Sequence, residues 1–415
     1  MMERLQMYRQ NHITRVAKLV LQPTLLAQVV TVLLALIQIV ILARFLPIDD
    51  FARYGVLTAI WAIGNAVIGT SVGARVVRTA VSDSGRISFT VREVLLILAA
   101  GSAGLVYALV AWNDWLLGLV SALTTASFVI AEARSSLELG RRDFKSYLLI
   151  ICFKATIPVV IIASAVVFVD ELSLTVAMSA ILLANLAASA IRPRNAWCFR
   201  ILKDNKAPLE WIGLLNLGLW IVSGVGRIAM DGSVAAADLA VFTLSYSLTD
   251  RAFRALQNAY ITKNIATAFS GRITDIKPVH WLITILLFSA STATLPFASQ
   301  VISDGKYETA WMLAVWISSA GSLMYASAPF YLRVIALNKV KLAAAVSLTI
   351  SVLSAGANFW FVGIFGIIGS SIILATSYGL WLLAVALISR GAASRREPAS
   401  PIVAETTSTR MARWQ

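Results

Sequence analysis

The chain has 415 residues, 59% of them apolar and 13% charged, with a net charge of +14; its mean hydropathy is +0.79. Soluble domains run nearer to about 45–50% apolar and about 25% charged, so a soluble globular enzyme, a disordered chain and a fibre are excluded. In a membrane protein a basic excess collects on the cytoplasmic face, so the charge requires no nucleic-acid partner.

In chain order, residues 1–18 mix Met, Leu, Tyr and Ile with basic side chains and suit a cytoplasmic amphipathic helix lying on the inner surface. Apolar runs long enough to cross about 30 Å of hydrocarbon then occupy 19–42, 55–77, 93–112, 115–135, 147–169 and 172–191. Six more occupy 211–230, 239–262, 279–301, 309–331, 342–362 and 366–389. The first run is too long for the core of a cleaved signal peptide. Asn113 and Asp114 alone separate the third and fourth runs, and the flanking Trp112 and Trp115 suit a membrane interface. The longest inner loop, 192–210, reads as a cytoplasmic linker between an N-terminal unit, 19–191, and a C-terminal unit, 211–389. The tail 390–415 has the Pro, Ser and Thr content of a disordered cytoplasmic segment. The fold expected is an all-α polytopic membrane protein with 12 transmembrane helices in two six-helix bundles around a central cavity.

Loop charges orient these runs. One alternate set of connections, with both termini, carries 27 Lys and Arg, whereas the other set carries three, Arg44, Arg53 and Lys306, beside nine acids. That asymmetry places both termini in the cytoplasm. The connections are too short for a catalytic domain on either face, and no Walker sequence is present. Cys152 lies in an apolar run and Cys198 in a basic loop, so a disulfide framework is not expected. With His12 and His280 beside charged loops, the chain has too few ligands for a Cys/His metal site, and no cofactor is expected.

The two units carry similar short basic hairpins. One is Leu139-Gly140-Arg141-Arg142-Asp143-Phe144-Lys145, and the other is Leu337-Asn338-Lys339-Val340-Lys341. The stretch from Ala43-Arg44-Phe45-Leu46-Pro47 through Phe51-Ala52-Arg53-Tyr54-Gly55 precedes a helix ending in Gly69-Thr70-Ser71-Val72-Gly73-Ala74-Arg75. Together with Asn358 and Gly363-Ile364-Phe365-Gly366-Ile367-Ile368-Gly369, these segments resemble Wzx-like polysaccharide flippases. That branch of the multidrug/oligosaccharidyl-lipid/polysaccharide superfamily favours glycine where Pro47 and Ala52 stand here. The resemblance covers most of the chain and marks Arg44, Tyr54 and Gly55 as loop-motif residues. It implies two six-helix bundles, alternating access and export of polyprenyl-diphosphate-linked glycans in the bacterial inner membrane. The partners it implies are the lipid-linked glycan, the bilayer and components of a polysaccharide polymerase or ligase.

Charges inside the runs are the candidate site. Each costs about 2.5–3.5 kcal/mol at mid-bilayer unless it faces a cavity or a partner. On the eighth run Asp250, Arg251 and Arg254 share one stripe about 100° wide with Thr243, Ser247 and Asn258, at helical spacing. Leu244, Leu248, Phe253 and Leu256 fall outside that stripe. One reading is a wet cavity whose guanidinium groups take a diphosphate through forked hydrogen bonds. The other is a structural Asp250–Arg254 pair, which leaves Arg251 unexplained. Asp250 is also the candidate for ion coupling. Lys154 lies about 10 Å into its run and joins the cavity candidates. Arg75 and Arg227, near run ends, read either as cavity residues or as interfacial side chains, and Arg44 also suits a helix C-terminal cap. Glu132 has Arg134 or Lys154 as its expected partner. The in-run aromatics Trp61, Trp220, Tyr246, Trp316 and Tyr325 suit packing and lipid contact better than sugar stacking.

The excess of intramembrane cations favours an anionic cargo and hence a lipid-linked oligosaccharide flippase serving O-antigen, capsule or exopolysaccharide. An ion-coupled multidrug or small-solute exporter shares that architecture but calls for more acid in the cavity. A glycan polymerase or glycosyltransferase would use the Asp49-Asp50 pair, with no outer domain to support it.

Overall fold

The computed structural model describes residues 23–79, 87–141, 143–168, 172–191, 200–202, 211–269 and 276–390. Among them the first helices are α1 (Pro23–Phe45), α2 (Ile48–Thr79), α3 (Val91–Trp112), α4 (Trp115–Gly140), α5 (Phe144–Phe168) and α6 (Leu174–Ala190). They continue with α7 (Trp211–Met230), α8 (Ala236–Phe269), α9 (Pro278–Ile302), α10 (Trp311–Ala326), α11 (Ala328–Ala336) and α12 (Val340–Arg390). Six of these, α3, α4, α5, α7, α9 and α12, are long and apolar enough to cross a membrane. The expected terminal segments, 1–18 and the tail after Arg390, lie outside the described residues.

The described part of each expected apolar run is mostly helix, because a helix satisfies its own backbone groups where water is absent. The run at 211–230 matches α7 end to end. By contrast, α2 and α8 run past 55–77 and 239–262 to 32 and 34 residues. The added ends are polar, with Asp49, Asp50 and Arg53 on α2 and Asp238 and Lys263 on α8. The expected crossing at 309–331 is two helices, α10 and α11, meeting at Ser327 ahead of Pro329. The last two runs form one helix, α12, interrupted at Gly366 (φ 57°, ψ −145°). The chain reverses there. Lys339 Nζ, just before α12, donates to the Ile388 carbonyl near its end at 3.2 Å, and Ser370 Oγ donates to Asn358 Oδ1 at 2.8 Å. Positive φ of this kind suits glycine, which has no Cβ to clash.

The all-α expectation needs one correction. β1 (Ser88–Thr90) pairs in parallel with β2 (Arg200–Leu202), Ser88 opposite Arg200. β2 belongs to the expected linker, so the described part of that linker is pinned beside the start of α3. Thr90 then begins α3 with a capping box: its side chain accepts from Glu93 N at 3.2 Å, and Glu93 Oε2 accepts from Thr90 N at 2.7 Å.

Helices α3–α6 pack chiefly among themselves and with α1 and α2, and α7–α12 chiefly with one another; α2 packs at least as much on α7 and α8 as on its own set, and α1 also meets α8. Small residues bring the helices close, as in membrane packing generally. Gly218 of α7 leaves room only for Ser347 of α12, and Gly55 of α2 only for Thr243 of α8. A β-carbon on Gly55 would lie 2.7 Å from Thr243 Cγ2.

The helix ends that adjoin the connections rich in Lys and Arg are termed the basic end, and those that adjoin the acid-bearing connections the acidic end.

Candidate functional site

Between the two helix sets lies a chamber of about 380 Å³. α8 supplies Ser247, Asp250, Arg251, Arg254 and Asn258, so most of the stripe read from helical spacing does share one cavity. Thr243 departs from it: it is fully buried against Gly55. Of the four apolar residues placed off the stripe, Leu244 and Phe253 are buried at 0% and 2%, Leu256 is exposed, and Leu248 packs on the core.

The charges are held in different ways. Arg254 Nε donates to both carboxylate oxygens of Asp250 at 2.8 Å, and Tyr246 OH donates to Asp250 Oδ1 at 2.8 Å. The same guanidinium stacks on Trp220 of α7, its carbon 3.9 Å from the ring centre, and its Nη2 makes no hydrogen bond. Arg251 reaches across to α1, where Nη1 donates to the Ala35 carbonyl. Arg227 of α7 is only 4% exposed and is no interfacial anchor. It lies 4.7 Å from the Tyr246 ring centre, donates to Thr58 Oγ1 at 3.3 Å, and has an unpartnered Nε. Three guanidiniums therefore face one carboxylate, and that carboxylate already holds Arg254 and Tyr246.

The other candidates fall elsewhere. Tyr54 lines the chamber, whereas its neighbour Gly55 forms the α2–α8 crossing. Lys154 lies 3.4 Å from Glu132, one of the two partners expected for that acid, and 3.6 Å from the Phe128 ring centre. Arg134 pairs with Glu138 instead. Arg75 is held in a fork by Glu93 at 2.7 and 3.0 Å, tying the basic end of α2 to the start of α3. Arg44 is exposed, 3.4 Å from Asp304 across the junction of the two helix sets. His280, in the first turn of α9, is 3% exposed, its ring 4.7 Å from Tyr325 and 5.0 Å from Tyr260. Cys152 is free and partly buried; Cys198 and His12 lie outside the described residues.

Sequence reasoning missed the uncharged part of the wall. Trp61, Trp220 and Tyr246 line the chamber rather than lipid, together with Thr58 and Tyr147. A neutral side chain carries no insertion penalty, so nothing in its position marks a cavity. The clue available was the small-residue pattern Gly64, Gly69 and Gly73 along α2.

Beside the chamber, and sharing Trp61, Ala62, Trp220 and Asn258 with it, a vestibule of about 740 Å³ runs along α2 toward the basic end. Asn65, Gly69, Gly73 and Val77 line it, with Glu132 and Ser136 of α4 opposite. At the acidic end the two helix sets are closed on each other. Phe51 stacks on Tyr307 at 5.5 Å. Asp231, between α7 and α8, accepts from Tyr107 OH at 2.8 Å and Trp112 Nε1 at 2.9 Å, both on α3. Trp112 thus belongs to a junction between helix sets.

The helices define a polytopic integral membrane protein with the fold shared by transporters of the multidrug/oligosaccharidyl-lipid/polysaccharide superfamily. A multidrug resistance MATE family transporter of that superfamily, solved in an inward-facing conformation, matches with a TM-score of 0.54 at 13% identity, over 88% of this chain and 94% of its own. A superfamily transporter from Pyrococcus furiosus, reported to have a binding pocket of reverse polarity, matches with a TM-score of 0.49 at 13% identity, over 90% of this chain and 93% of its own. No family model and no curated protein matches the chain.

Proposed function

We propose that this chain is a flippase that carries a polyprenyl-diphosphate-linked oligosaccharide across the bacterial plasma membrane for surface polysaccharide assembly. The observation that carries the reading is the chamber's charge: Arg227, Arg251 and Arg254 against Asp250 alone. A diphosphate supplies what those guanidiniums lack, oxygen acceptors in a geometry that forked donors match. In this reading the basic end is cytoplasmic, residues 19–191 and 211–389 form two bundles, and cargo enters from the vestibule. Alternating access then opens the acidic end while the basic end closes. A polymerase or ligase would take the glycan on the far side. The chain acts as a carrier, with no chemical step on the cargo.

A second reading has one observation in its favour, the fold shared with a multidrug resistance transporter. It predicts efflux of small organic solutes, and lipophilic cations would meet a cationic wall.

The test is a strain deleted for the gene and complemented with variants. Arg251→Ala with Arg254→Ala is expected to lower surface glycan at least about tenfold, the scale of one lost charged hydrogen bond or more, while abundance in the membrane is kept. Arg251→Lys restores only part, because it keeps the charge and loses the fork. Normal glycan in the double variant, with loss of resistance to organic solutes, would establish the second reading instead.

A further inference from the structure

The vestibule differs chemically from the chamber it joins. Lys154, beside it, is matched by Glu132. Its wall is otherwise aromatic and amide: Trp61, Phe128 and Trp220 beside Asn65 and Asn258. Trp61 and Phe128 meet edge to face, ring centres 5.0 Å apart at 83°. Asn65 is only 8% exposed, and neither its amide oxygen nor its amide nitrogen has a partner; Trp61 Nε1 also lacks one. Buried polar atoms left open in this way call for a ligand or water to satisfy them. An amide offers donors and an acceptor together, which neighbouring hydroxyls of one sugar ring can engage at once. Aromatic side chains suit the apolar C–H face of the same ring. The volume, about 740 Å³, lies within the range of ordinary ligand sites.

Resting on the function proposed above, we infer that the vestibule is a glycan subsite: it takes the sugar ring next to the diphosphate, with Asn65 as the hydrogen-bonding residue and the aromatic side chains as the wall. The shared residues Trp61, Trp220 and Asn258 put it beside the guanidiniums, as one covalently linked ligand requires. Gly69 keeps the α2 wall free of a side chain, and a β-carbon there would meet nothing closer than Glu132 Cγ at 3.9 Å, which leaves room for the ring.

The full chain in lipid nanodiscs tests this with two kinds of probe. One is farnesyl diphosphate; the other is a set of farnesyl-diphosphate-linked monosaccharides carrying glucose, galactose, N-acetylglucosamine or rhamnose. At least one linked sugar is expected to bind about tenfold tighter than farnesyl diphosphate, which two net hydrogen bonds supply. Asn65→Ala, or Gly69→Leu to fill the space, removes that gain and leaves the affinity for farnesyl diphosphate within about twofold. Retained farnesyl diphosphate binding shows that the variant is folded, and the wild-type ratio decides without any variant. Equal affinity for all probes would overturn the glycan subsite while leaving the anion chamber standing. Failure to bind any of them would overturn both. Tetraphenylphosphonium binding that Asn65→Ala abolishes, with no gain from any sugar, would make the vestibule a drug site and overturn the inference.

Discussion

The two ends of α2 do opposite jobs. Its acidic-end half carries Phe51, Val56 and Leu57, all fully buried, and it meets the other helix set where Phe51 stacks on Tyr307 and Gly55 abuts Thr243. Its basic-end half carries Asn65, Gly69 and Gly73 and borders open space. The difference is one of side-chain volume on a single continuous helix. Where the side chains are large, the sets interlock and exclude water; where they are absent, the same backbone forms the wall of a passage. The comparison teaches that glycine has two roles here. At the acidic end Gly55 permits a helix crossing, and toward the basic end Gly69 leaves a vacancy.

Putting one methyl at each end tests that difference most directly. Gly55→Ala drives its Cβ into Thr243, which is fully buried and has nowhere to go. The overlap costs about 1–3 kcal/mol, and separating the helix sets is the available relief. Export is expected to fall about tenfold or more, and a cysteine at Ser247 is expected to become open to an impermeant reagent from the acidic side. Thr243→Gly in the same chain restores both; an unaltered labelling rate for Gly55→Ala would break the claim that this crossing is a seal.

A smaller effect is expected at Asp231, where two donors from α3 end on one carboxylate oxygen. Asp231→Ala removes both bonds, about 1.5–3 kcal/mol each when the acceptor is charged, part of it regained from water. Reagent access to Ser247Cys should rise several-fold, with thermal stability in detergent little changed. Asp231→Asn retains an acceptor and sits between the two. The smallest effect belongs to Gly73→Ala. Its Cβ meets only Ser136 Oγ, at 2.9 Å, the free end of a side chain that can turn. Both export and unfolding temperature should stay near wild type, since any strain is offset by the roughly 0.5–1 kcal/mol that alanine gains over glycine in a helix. A tenfold loss there would erase the contrast between the ends.

Much of the helical layout was legible because apolar runs in a bilayer have one backbone solution. α7 was readable to the residue, as its ends coincide with a change from polar to apolar side chains. The strands β1 and β2 were not. Each is three residues long, and their pairing joins segments far apart in sequence. In the site, Asp250, Arg251 and Arg254 were visible because charge in hydrocarbon is costly and helical spacing aligned them. Arg227 stayed between a cavity and an interfacial reading because nearness to a helix end said nothing about Tyr246 and Thr58 standing over it. Asp231 was counted only as an acid in a loop, since its partners Tyr107 and Trp112 come from the other helix set. Asn65 gave no signal, being neutral, small and surrounded by alanine and glycine.

The reversal at Gly366 also fixes a matter of parity. One residue turns the chain between the two arms of α12, and the Lys339–Ile388 contact brings their far ends together. Those far ends must therefore lie in the same compartment. A reporter fused after Arg390 reads the side on which Lys339 lies, and one placed at Gly366 would break the turn it was meant to report.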